Sequence, residues 1–157
     1  MTGIDEPTLL TAEGQEKLEA ELEHLITVRR AEVAEAIRQA KEEGDITENS
    51  AYDEAKEAQA FLEGRILTLK NILRHVEIIE RSDGADTVQI GSQVTVAEPG
   101  GEPETYTIVG SVEMDPSNGR ISNVSPLGNA LLDRRLGEEV EVHAPAGTLR
   151  FVIKNIA

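Results

Sequence analysis

The segment Gly44-Asp45-Ile46-Thr47-Glu48-Asn49-Ser50-Ala51-Tyr52 sets two carboxylates three positions apart, with an apolar residue between them and a tyrosine one turn further on. Carboxylates are hard oxygen ligands suited to Mg²⁺, and two of them make an incomplete site. Such a pair can complete a site that another protein half-supplies. The same spacing also has a purely structural use. At a helix start, Asp45 and Glu48 resemble a capping box, whose acids satisfy free N–H groups and the positive end of the helix dipole. A calcium loop does not fit: opened at Asp45, it would have Ser50 where glycine is required and Lys56 where glutamate is required. Ile46 and Tyr52 argue that capping is not the whole purpose. At an exposed turn Ile46 buries nothing in its own chain, and nothing local supplies Tyr52 with a core.

Other chemistries find little material. The chain has no cysteine, so a disulfide framework and thiolate metal sites are excluded. His24, His75 and His143 lie far apart and show no ligand spacing, and each reads as a surface or partly packed residue. No apolar run approaches the roughly 20 residues that a membrane-spanning helix needs. The N-terminus lacks a basic start followed by an apolar stretch, so no secretory signal is visible. A soluble cytoplasmic protein with no membrane partner is expected.

The elements that must position the acid pair are two long helical patterns. From Thr11 to Glu43 good helix formers dominate, and Leu18, Leu22, Leu25, Val33, Ile37 and Ala40 fall mostly at three- and four-residue spacings. Thr11 suits the N-cap, and Gly44 suits the position just past the C-terminus, where positive φ is common. A second pattern runs from about Thr47 to Val76, with a seam through Ala51, Ala55, Ala58, Leu62, Ile66, Leu69, Leu73 and Val76. Two helices of about 30 residues joined by a short turn fold back as an antiparallel hairpin, on the order of 45 Å long at about 1.5 Å per residue. The seam narrows to alanine near Gly44, as close approach of the helices would require. A rod of this length buries only one stripe per helix, which suits a reaching device or a dimerising coiled coil better than a compact core.

Charge limits the partners. The formal net charge is −15, with 30 acids against 15 Lys and Arg. Phosphate-driven affinity requires clustered bases, so contact with nucleic acid must be guided by another protein. Residues 42–57 carry seven acids against Lys56 alone. A charge run of this kind is commonly a solvated helix face, and its place at the turn is what sets this one apart.

After Glu80 the pattern becomes short and β-rich. Arg81–Asp86 reads as a connection, followed by runs at Thr87–Ile90, Gln93–Ala97, Thr105–Val109, Arg120–Val124, Glu139–His143 and Thr148–Ile153. One short helix fits between them, capped by Ser125, with Pro126 in its first turn, Leu131 and Leu132 toward the sheet, and Gly137 ending it. The expectation is a long helical hairpin over residues 1–80, then a small, mostly antiparallel α+β domain over 81–157.

These residues resemble the GreA/GreB family of transcript-cleavage and transcription elongation factors. The segment 44–52 is similar to that family's tip signature, Gly-Asp-Leu-x-Glu-Asn-Ala-x-Tyr. The similarity extends to Arg29-Arg30, Ala36-Ile37 and 61–66, and in the second half to 106–110, Ile121-Ser122, 125–132 and 144–147. The resemblance implies an N-terminal antiparallel coiled coil with its acidic tip at 44–52 and an FKBP-like C-terminal domain. That domain would dock at the rim of the secondary channel of bacterial RNA polymerase while the coiled coil reaches down the channel. By motif position, Asp45 and Glu48 would hold a second Mg²⁺, shared with the polymerase, and place the attacking water. Ile46, Asn49 and Tyr52 would position the tip, Lys41 and Lys56 would lie near the RNA 3′ end, and Ser125 and Pro126 fall in the docking segment. The factor would have no cofactor of its own, would be a monomer when free, and would stimulate the polymerase's cleavage of backtracked RNA rather than act as an enzyme. The chain departs from the pattern at Ile46 for Leu, at Ser50 for Ala and in the extra acid Asp53. Its sparse bases suggest short cleavage products.

Three other functions are compatible with the same architecture: an inhibitory paralog with a different acidic tip, an FKBP-like isomerase or chaperone, and a structural coiled-coil oligomer. The intact Asp-x-x-Glu-Asn-x-x-Tyr pattern speaks against the first. Tyr106 and Phe151 are the only aromatics available for an isomerase pocket, and fold alone is poor warrant for function.

Overall fold

The computed structural model describes residues 6–44, 49–82 and 86–157. They form two compact units, Gln15–His75 and Glu6–Gly14 with Val76–Ala157. Asp45, Ile46 and Glu48 lie outside the described residues.

The first unit is a helical hairpin. Helix α1 (Ala12–His24) passes through a π-helical turn (Leu25–Arg29) into α2 (Arg30–Glu42), and α3 (Ser50–Arg74) returns alongside. The π turn explains a gap in the seam. Leu18, Leu22 and Leu25 share one phase, whereas Val33, Ile37 and Ala40 share another shifted by one residue. A π turn holds one extra residue and so absorbs that shift. Cross-helix partners run in opposite chain directions, with Ala40 beside Asn49, Arg30 beside Glu63 and Glu21 beside Arg65. Val33, Leu62 and Ile66 form the buried centre, with Leu22, Leu25, Ile26 and Ile37 packed against it.

The observed seam of α3 corrects the expected one near the turn. Ala51 and Ala58 are exposed, whereas Tyr52 and Gln59 are half-buried and Ala55 is buried. The buried line is therefore Tyr52, Ala55, Gln59, Leu62, Ile66, Leu69 and Leu73, an unbroken alternation of three and four. The line through Ala51 and Ala58 would have needed two successive steps of four, which drifts off the contact face. Val76 leaves the seam and enters a strand instead.

In the second unit, β1 (Thr8–Leu10) pairs in parallel with β2 (Val76–Ile78). Neither strand is legible in the sequence, since three residues carry too little alternation. Their pairing assigns Glu6–Gly14 and Val76–Glu80 to the unit of the sheet, so the compact units do not divide at residue 80. Thr11 is the N-cap residue of α1: its Oγ1 accepts from the Gly14 N–H at 3.0 Å and donates to Glu113 Oε1 at 2.5 Å. The five-stranded sheet has the order β5-β4-β3-β7-β6, built from β3 (Gln93–Ala97), β4 (Glu104–Val109), β5 (Arg120–Ser122), β6 (Glu139–Ala144) and β7 (Gly147–Ile156). It is antiparallel except where β5 runs parallel to β4. Helix α4 (Pro126–Leu131) covers part of one face, and Val88, Val94, Val96, Ile108, Leu131, Val140 and Ile153 form the core.

Two local expectations differ from the structure. Thr87–Ile90 forms no strand: Thr87 makes one isolated bridge with Arg135 before the chain turns at Gly91, where φ is +94°. Helix α4 stops at Leu131, because the Asp133 N–H is drawn to the Val88 carbonyl, and Gly137 shapes the turn before β6 instead.

Candidate functional site at the hairpin turn

Helix α2 ends with Glu43 as C-cap, and Gly44 follows, although its φ lies outside the left-handed range. Helix α3 begins at Ser50 with Asn49 as its N-cap. The N-cap position of α3 is thus filled by Asn49. The Asn49 Oδ1 accepts from the Tyr52 N–H at 3.2 Å, and the Asn49 amide nitrogen donates to the Ala40 carbonyl at 2.6 Å. One side chain thus bonds both helices at the ends of the acid-bearing turn. Ala40 and Ala55 are both buried here, and small side chains allow the helix backbones to approach.

Behind the turn, bidentate ion pairs hold the register. Arg30 donates to Glu63 at 2.8 and 2.9 Å, and Arg65 donates to Glu21 at 2.7 and 2.9 Å. Exposed pairs of this kind add little stability, but fork-on-carboxylate geometry fixes orientation. The hydrogen bond from Arg30 holds the Glu63 carboxyl below its ordinary value of 4.5, and the same bond raises Arg30. Arg38 spans Glu35 and Glu42 on one side of α2, and Glu35 is likewise lowered by Arg38. Arg38 is therefore committed to carboxylates of its own helix.

The remaining sequence-derived residues are placed as follows. Lys41 is exposed in the last turn of α2, and Lys56 is exposed on α3, donating to Gln59 Oε1 at 2.9 Å. Both flank the turn. Tyr52 is half-buried on the seam line of α3, where the sequence reading expected it without a local core. In the other unit, Ser125 caps α4: its hydroxyl donates to the Ser122 carbonyl at 2.6 Å and accepts from the Gly128 N–H at 3.1 Å. That hydroxyl is spent locally, which leaves Pro126 and its neighbour Val124, 72% exposed, as the surface presented there. Val124 escaped the sequence reading because a valine ending a β-like run looks like core. Among the described residues, no three His, Cys, Asp or Glu side chains converge as a metal site, and no helix is long and apolar enough to cross a membrane.

The comparisons with known proteins agree over the whole length. The model of the N-terminal domain of transcription elongation factors (GreA_GreB_N) matches residues 8–78, and the model described as Transcription elongation factor, GreA/GreB, C-term matches residues 82–157. Transcription elongation factor GreA of Chloroflexus aggregans is 54% identical, covering 97% of this chain and 98% of the relative. Transcription elongation factor GreA of Bacillus subtilis is 51% identical, covering 94% and 95%. A solved structure, GreA factor homolog 1 (Gfh1) of Thermus thermophilus, is 30% identical with a TM-score of 0.44, covering 96% of this chain and 99% of that one. The helical hairpin falls within the first of these matches and the five-stranded sheet within the second, and the chain belongs to the GreA/GreB family of transcription elongation factors.

Proposed function

We propose that this chain binds bacterial RNA polymerase in the cytoplasm, inserts its hairpin into the secondary channel, and stimulates the polymerase's own cleavage of backtracked RNA. The observation that supports this reading is the Asn49 bridge, which ties the end of α2 to the start of α3 on either side of the segment that carries Asp45 and Glu48 in the sequence. An acid-bearing turn held this way is suited to delivering charge to a site outside the chain.

Asp45 and Glu48 would supply two hard oxygen ligands, a donor set that fits Mg²⁺ and falls short of a full site. Shared with the polymerase, the metal would supply stabilisation of the attacking and leaving oxygens in phosphodiester hydrolysis. The chain's own contribution is positional. Helices α2 and α3 flank the acids in the sequence, the bidentate pairs resist sliding of one helix past the other, and carboxylates delivered pre-oriented would avoid an entropic cost. Lys41 and Lys56 flank the turn as the cations able to meet RNA near its 3′ end, and Pro126 with Val124 offers a surface for docking at the channel rim. The polymerase remains the enzyme.

The test adds the protein and Mg²⁺ to a defined backtracked elongation complex and compares wild type with Asp45→Ala and Glu48→Ala. Wild type releases short 3′ fragments. Each variant loses on the order of 100-fold in cleavage rate, in line with removal of one preorganised charged group, while still competing with wild type for the complex. Undiminished cleavage by either variant sinks the proposal.

A further inference from the structure

We infer that the sheet domain carries a binding site for an arginine side chain of a protein partner, presented beside an apolar residue, in the cavity between the β3–β4 turn and β7. The cavity measures about 420 Å³ and is lined by Glu98, Glu102, Glu104, Tyr106, Leu149 and Phe151. That volume falls within the roughly 300–1,000 Å³ of small-ligand pockets. Tyr106 and Phe151 are half-buried against the sheet core, and Leu149, 43% exposed, lines the same cavity. They extend the core's own apolar face past the part that α4 covers.

The three carboxylates decide what this face would accept. No Lys, Arg or His lines the cavity, and among the described residues none of the three glutamates is engaged in an ion pair. Tyr106 reports the resulting field. Its hydroxyl donates to Glu104 Oε2 at 2.5 Å, and the phenol is pushed up to about 12, first by that hydrogen bond, then by burial, then by the negative charge of Glu104 and Glu98. The ring therefore stays neutral at physiological pH, with its π face available. A cation entering the cavity gains from the carboxylates and from the aromatic quadrupole together.

Among cations, arginine fits this lining. Its planar guanidinium is weakly hydrated, stacks on aromatic rings and engages carboxylates through paired N–H bonds. A divalent metal would need hard oxygens on several sides, whereas half of this lining is carbon. An ammonium is more strongly hydrated and offers no flat face. The exposed Leu149 favours a ligand with an apolar residue next to the arginine. The site lies in the sheet unit and is independent of the acid pair at the hairpin turn.

The experiment titrates ¹⁵N-labelled full-length protein with the peptide acetyl-Ala-Leu-Arg-Leu-Ala-amide and follows backbone amide shifts. The proposal expects saturable shifts at Gly101, Tyr106 and Phe151. Affinity should fall roughly tenfold with citrulline, the neutral isostere, in place of arginine, as loss of a charge-assisted contact implies. The double variant Glu98→Gln/Glu102→Gln should weaken binding by a similar factor. Three results overturn it: no saturable shift at these amides, equal affinity for the citrulline peptide, or equal affinity for a peptide with proline in place of arginine, which would make the cavity a general apolar groove. The peptide arms use the unmodified protein, so they decide the matter whatever the variants do.

Discussion

The side chain of Asn49 joins the carbonyl of Ala40 in α2 to the first turn of α3, donating at 2.6 Å to one helix while accepting from the Tyr52 N–H of the other. Ala40 belongs to the last turn of α2, whose carbonyls have no intrahelical partner, and Tyr52 carries one of the orphan donors at the start of α3. A single amide thus answers one deficit on each side of the turn. Asn49→Ala removes both bonds and should cost about 1–2 kcal/mol of hairpin stability. Asn49→Asp keeps the cap and deletes only the donor to Ala40, so it isolates the cross-helix link. Urea unfolding together with amide exchange at Tyr52 checks this: Tyr52 protection falls in the alanine variant and persists in the aspartate variant. Unchanged stability in both would mean that the bridge holds nothing.

Adjacent residues on α3 give a sharp test of the seam. Leu62 is 8% exposed and packs with Val33 and Ile66, whereas Phe61 is 82% exposed. Leu62→Ala should destabilise the hairpin by about 2–4 kcal/mol, and Phe61→Ala by less than about 0.5 kcal/mol, despite the larger side chain removed. Thermal unfolding followed by far-ultraviolet circular dichroism separates the two.

Acid should loosen the hairpin through Glu63. Its folded-state pKa lies below the ordinary 4.5 because Arg30 donates to the carboxylate. A depressed carboxyl contributes stability that is present above the unfolded value and lost as pH falls through the folded one. The contribution is thus complete near neutrality and is lost in acid, as pH falls from the ordinary carboxylate value through the lower folded-state one. Glu63 is exposed, so the effect is small and salt-screened. Comparing urea midpoints for wild type and Glu63→Gln at pH 7 and pH 3, at low salt, should reveal a gap at neutral pH that closes in acid. A gap that persists at pH 3 contradicts the linkage.

If the acid pair completes a shared metal site, weakening it should raise the demand for metal. Asp45→Asn leaves the shape and removes one charge, so the Mg²⁺ concentration giving half-maximal cleavage should rise roughly tenfold, with partial recovery at high Mg²⁺ as mass action requires. Cleavage assays across a Mg²⁺ series read this directly. A reduced maximum with an unshifted midpoint would argue against metal sharing.

Local patterns along the chain establish a helical part and a β-rich part, the helix caps Thr11 and Ser125, and the place of most sheet strands. Each of these follows from interactions within a few residues: a hydroxyl and the N–H three positions on, or alternation along a strand. The acid pair is read from residue type and spacing alone, and it lies outside the described residues. Tertiary structure decided the rest. It moved the α3 seam from Ala51 and Ala58 to Tyr52 and Gln59, since which face is buried depends on the partner helix and on the phase shift absorbed by the π turn. It gave the cap Asn49 a second bond, to the Ala40 carbonyl, because only the folded hairpin brings that carbonyl within reach. It also drew Thr8–Leu10 to Val76–Ile78, a pairing between segments more than sixty residues apart that no local pattern announces. Contacts between distant segments form only where the packed chain brings them together, and local periodicity has no means of recording them.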